Sequence, residues 1–88
     1  MNKLLGMNKE LGKIKSADLT IEDTNNPYIV VAFSGDGWGV CAHETPANFM
    51  KYMQDAGRHW LSNMRNVPVE VCFVDNTLHS WRVLKEVL

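Results

Sequence analysis

The chain predicts a small α+β fold, an antiparallel sheet of three to five strands in the order β-β-β-α-β, packed on one broken helix. Three observations carry this. Its 88 residues bury only roughly 60–65% of the surface an unfolded chain exposes, so one helix layer on one sheet is the practical limit. The run "YIVVAFSGDGWGVCAHE" places β-rich segments on either side of an Asp-Gly turn. The run "TPANFMKYMQDAG" then carries helical periodicity behind a capping signal. No repeat or linker divides the chain, so residues 1–88 read as one domain, with residues 1–11 as a basic N-terminal arm.

The first strand lies in "GKIKSADLTIED", where Ala17, Leu19 and Ile21 alternate with the period of a half-buried strand. Ile14 falls on the opposite parity, which calls for a bulge or twist if the strand begins there. "NNP" supplies a turn, and Pro27 opens the next strand where no ladder donor is needed. With Asp36 and Gly37 at the centre of a primed hairpin turn, Gly35 pairs with Trp38, Phe33 with Val40 and Val31 with Ala42. One face then carries Ile29, Val31, Phe33, Trp38, Val40 and Ala42, large and apolar. The other carries Val30, Ala32, Ser34, Gly39, Cys41 and His43, small and mixed.

Thr45 is placed to cap a helix that has Pro46 at its first position, where a missing N–H costs nothing. Phe49, Met53, Ala56, Trp60 and Met64 form one stripe, which assigns Trp60 to packing. Gly57 costs about 1 kcal/mol inside a helix and predicts a break, with a second short helix over "RHWLSNMR". "VPVEVCFVD" is a further strand, with Val69, Val71 and Phe73 on one side. "NTLHSWRVLKEVL" fits a helix through Leu78, Trp81, Leu84 and Leu88. After an Asp-Asn turn it also fits a returning strand, which is favoured for part of it.

Charge narrows the class of partner. Net charge is −1, but residues 1–15 hold four lysines against one glutamate, leaving −4 on the remainder. A mildly acidic body argues against binding a nucleic-acid backbone, which needs a basic stripe. No run approaches the ~20 apolar residues of a membrane span, and the start has no secretory core segment. Two cysteines make no disulfide scaffold and read as reduced thiols in a cytoplasmic setting.

The candidate sites are few. A phosphate-cradling glycine loop opens a helix, whereas "SGDGWGV" leads into a strand and reads as a hairpin tip. Cys41 and His43 share one side of a strand, with Cys72 and His79 near another; together they form an alternative zinc-type set. They lack the short Cys-x-x-Cys spacing of compact fingers, so no cofactor is expected. A Cys41–His43 nucleophile would need a water-excluding cleft and an orienting third group. Asp23, Asp36 and Asp75 fall in turns, where Asp caps backbone N–H groups. The expectation is therefore a non-enzyme. Three tryptophans are a generous supply for so small a core. Trp38 adjoins the hairpin tip and Trp81 precedes Arg82, and Trp and Arg dominate interface hot spots; the alternative is that each tryptophan closes off one end of the small core. Trp38, Asp36, Glu44, Trp81 and Arg82 are accordingly the candidate partner-binding residues.

"LGKIKSADL", "GDGWGV", "MQDAG" and "PVEVCFVDNTLHSWRVLKEVL" together resemble a family of short phage- and prophage-encoded proteins. The similarity spans most of residues 11–88 and is strongest after Pro68, with "TIEDTNNP" in place of a glycine-rich connection. The resemblance implies a phage accessory protein in the bacterial cytoplasm that binds and inhibits a host protein or complex, such as a CRISPR–Cas or other defence component. The motifs are structural, and no catalytic residues come with them. Two further expectations stand beside this one: the Cys/His metal protein, and a homodimer formed through open sheet edges.

Overall fold

The computed structural model describes residues 6–21 and 26–88. Five strands form one antiparallel sheet: β1 (Met7–Thr20), β2 (Tyr28–Gly35), β3 (Trp38–Glu44), β4 (Pro68–Val74) and β5 (Thr77–Val83). Their order across the sheet is β3-β2-β1-β4-β5. Among the described residues one helix, α1 (Pro46–Ala56), and two 3-10 turns, Leu61–Met64 and Lys85–Val87, complete the α+β fold. No helix among the described residues is long and apolar enough to cross a membrane.

The central strand explains the shape. Residues Met7 to Lys13 of β1 pair with β4, and Gly12 to Thr20 pair with β2, so the two flanking hairpins are offset along it and overlap only at Gly12 and Lys13. Strand twist then curls the sheet. On the concave side Trp38 of β3 reaches Phe73 of β4 edge-on, ring centroids 5.5 Å apart. The predicted bulge is present. The register slips between Ile14 and Ser16, which turns both Ile14 and Ala17 inward despite their opposite parity. Val67 and Asn66 complete the pairing there: Ile14 N–H donates to Val67 O at 3.0 Å, and Asn66 N–H donates to Ile14 O at 2.7 Å. Asn66 does this with φ of 71°, a left-handed value that asparagine tolerates.

The β2–β3 hairpin has the predicted register, Gly35 with Trp38, Phe33 with Val40 and Val31 with Ala42. Its turn type differs from the prediction. Only the second central residue, Gly37, has positive φ (81°), the pattern of an unprimed turn. The primed turn joins β4 to β5 instead, where Asp75 and Asn76 stand at 53° and 65°. The ambiguous C-terminal segment is strand through Val83 and then a single 3-10 turn.

Helix α1 begins as expected, with Asn48 N–H donating to Thr45 Oγ1 at 3.1 Å. It ends at Gly57, which adopts φ of 68°. Gly57 N–H reaches Gln54 O and Arg58 N–H reaches Met53 O, the paired bonds of a Schellman cap. The glycine is thus a terminator, not an interruption. Phe49 and Ala56 are buried, and Tyr52 and Met53 pack beside them on the concave face against β2 and β5.

Two expectations are corrected here. Residues 7–11, read as part of a basic arm, form the first half of the central strand; residues 1–5 lie outside the described residues. Trp60, placed on the helical stripe, is 70% exposed, because the helix stops at Ala56 and the periodicity no longer applies. Residues 22–25, which hold Asp23 and much of the β1–β2 connection, also lie outside the described residues.

Candidate functional site

The concave face has two ends with different chemistry. At the helix end, Trp81 stacks on Tyr52 with ring centroids 3.6 Å apart and planes at 16°. Phe33 and Phe49 close round it at 4.8 and 6.3 Å. Its Nε1–H donates to Glu44 Oε2 at 3.0 Å, so the last inward residue of β3 is tied to the inward face of β5. Those are the two edge strands, and this bond ties them across the concave face. Trp81 is only 7% exposed, so its indole is a core group; the reading of it as a surface contact is corrected. Glu44 is occupied by the same bond.

Burial raises the phenol of Tyr52 above its ordinary value, and the carboxylates of Glu44 and Asp55 add to the rise. The folded state therefore holds the phenolic proton more tightly than the unfolded chain does. That stability is fully present below the unfolded tyrosine value of about 10 and is lost as pH climbs through the higher folded value. Tyr52→Phe is expected to flatten the fall in stability as pH rises above about 10. The check is the urea midpoint of both proteins across that range. Parallel curves would show that Tyr52 does not contribute.

At the other end Trp38 lies half-buried over two glycines. A Cβ at Gly12 would sit 2.8 Å from the indole, and one at Gly35 would overlap it. Its Nε1–H is buried with no hydrogen-bond partner among the described residues, a deficit worth about 1–3 kcal/mol. Asp36 is exposed in the adjoining turn. Trp38 and Glu44 stand at opposite ends of β3, roughly 20 Å apart at the ordinary rise per residue. Arg82 projects from the convex face, where Glu70 at 3.1 Å and Glu86 at 3.2 Å already pair with it. Hydrogen bonds to Glu86 and then Glu70 raise its pKa further. The five predicted contact residues therefore form no single patch.

The Cys/His set is not assembled either. Cys41 and His43 point to the convex side of β3, with Cys72 and His79 on β4 and β5. Three strand spacings, roughly 14 Å, separate β3 from β4, and the curl spreads that face further. Among the described residues no group of three or more His, Cys, Asp or Glu could hold a metal ion. Both thiols are free, Cys41 exposed and Cys72 buried.

Trp60 is the functional candidate that sequence periodicity hid. It stands between the Gly57 cap and the Leu61–Met64 turn, flanked by exposed Arg58 and His59. The 3-10 turn that follows packs against β1 and buries Met64, so the indole is presented from an anchored loop. The available signal was Gly57 itself, read as a stop. Set against protein-family models, curated proteins and solved structures, the chain matches none.

Proposed function

We propose that this chain is a non-enzymatic binding protein of the phage accessory kind that its motifs resemble, engaging a host protein in the bacterial cytoplasm. A component of CRISPR–Cas or another defence system is the class of target. The observation that carries the reading is Trp60, 70% exposed on a loop between a Schellman cap and a packed 3-10 turn, two positions after exposed Arg58. An indole left in water has on the order of 150 Å² to bury, worth about 4 kcal/mol before ordering costs. A loop already fixed by a Schellman cap reduces those costs. Trp and Arg together are the residue types that concentrate binding energy.

Affinity capture from bacterial lysate with wild-type and Trp60→Ala baits tests this, followed by calorimetry on the captured target. Because Trp60 packs little, the variant is expected to fold normally and to lose about 2 kcal/mol of affinity, roughly 30-fold. Equal capture by both baits removes Trp60 from the interface. Capture by neither removes the reading.

A further inference from the structure

The open end of the curled sheet holds a recess of about 280 Å³ lined by Asn8, Glu10, Trp38, Val40, Phe73 and Asn76. By the ~30 Å³ each takes in the liquid, it has room for about nine waters. Helix α1 covers the other end of the concave face, while no helix among the described residues covers this one. Trp38, Val40 and Phe73 make an apolar wall, with the two rings edge to face. The mouth of a curled sheet, apolar with a few convergent polar groups, is a common place for a small ligand.

The polar groups choose the ligand. They are one carboxylate and two carboxamides, and among the described residues no cationic side chain lines the recess. Asn8 Nδ2 donates to Glu10 Oε2 at 2.7 Å, which orients the carboxylate and leaves its second oxygen open. Glu10 forms no salt bridge among the described residues, whereas Glu70, Glu86 and Asp55 each pair with a cation. A half-buried carboxylate beside apolar walls acts in a lower effective dielectric than water, which strengthens its pull on a cation.

We propose that this recess binds a small organic cation, an ammonium group on an apolar body with about nine heavy atoms in all, with Glu10 as its counter-ion. Asn8 and Asn76 supply carbonyl acceptors to the remaining N–H groups, and the wall of Trp38, Val40 and Phe73 takes the body. This site stands apart from Trp60 and does not depend on the reading above. The ammonium comes either from a free amine or from a lysine side chain of a partner.

The test is titration of the isotope-labelled full chain, read by the indole N–H of Trp38 and the side-chain amides of Asn8 and Asn76. Phenethylamine is expected to shift these signals saturably, with a dissociation constant at or below about 1 mM. Phenylethanol and phenylacetate, of similar shape, are expected to bind at least roughly tenfold more weakly. Glu10→Gln is expected to impose a loss of the same size while the rest of the spectrum stays unchanged. A blocked lysine amide serves as the second probe. Tighter binding than phenethylamine assigns the ammonium to a partner's lysine, and weaker binding assigns it to a free amine. Absence of shifts, equal binding of the neutral and anionic probes, or an unchanged affinity in Glu10→Gln would overturn the proposal.

Discussion

Trp81→Ala is expected to lower the unfolding free energy by about 3–5 kcal/mol, a large part of the ~5–15 kcal/mol available to a domain. Three losses combine. The indole is buried and touches Tyr52, Phe33 and Phe49 at once, so its removal leaves a cavity shared by α1, β2 and β5. The Nε1–H bond to Glu44 vanishes, leaving a half-buried carboxylate without its donor. The two edge strands also lose their tie across the concave face. Trp81→Phe separates these effects, since it keeps a ring in place and removes the donor. It is expected to cost about 1–3 kcal/mol. Far-UV circular dichroism in urea measures both variants. A double-mutant cycle with Glu44→Ala is expected to show a coupling of about 0.5–3 kcal/mol. A loss under about 1 kcal/mol for Trp81→Ala would mean that the aromatic cluster does not hold the curl.

What could be read from the sequence follows from how local each determinant is. The β2–β3 register was legible because Asp36-Gly37 and the alternation around it lie within about a dozen residues. The helix entrance was legible for the same reason, with cap, proline and first apolar residue all inside one turn. The tie between Trp81 and Glu44 was not legible, because its two ends lie 37 residues apart. Trp60 was misplaced because a 3.6-residue period extends on paper through a glycine that, in the fold, ends the helix with left-handed geometry. The first half of β1 failed for the most informative reason. Its inward residues are Asn8, Glu10 and Gly12, so "MNKELGK" shows no apolar alternation. Those three positions build the recess and the bed under Trp38. The stretch that does not look like a strand is the stretch where local pattern gives way to a site.

That bed gives the second large effect. Alanine in place of a strand-interior glycine ordinarily adds about 0.5–1 kcal/mol of stability through reduced chain entropy, yet Gly12→Ala is expected to remove about 2–3 kcal/mol. Neither strain nor turn geometry enters, because among the described glycines only Gly37 and Gly57 have positive φ. The cause is close approach. The new Cβ would stand 2.5 Å from the Ser34 carbonyl oxygen and 2.8 Å from the Trp38 ring, and the carbonyl belongs to the β1–β2 ladder and cannot withdraw. Gly39→Ala is the matched control on the same sheet. Its nearest neighbour is the Phe33 carbonyl oxygen at 3.5 Å, an ordinary contact, so it is expected to be neutral or mildly stabilising. Gly35→Ala separates ring from backbone, since the three nearest atoms to its Cβ all belong to the Trp38 indole. Truncating Trp38 to leucine is expected to restore much of the loss in Gly35→Ala and little of it in Gly12→Ala. Urea midpoints of the singles and doubles decide the matter. Equal rescue at both glycines would mean that the indole alone, and not the carbonyl of Ser34, sets the spacing between β1 and β2.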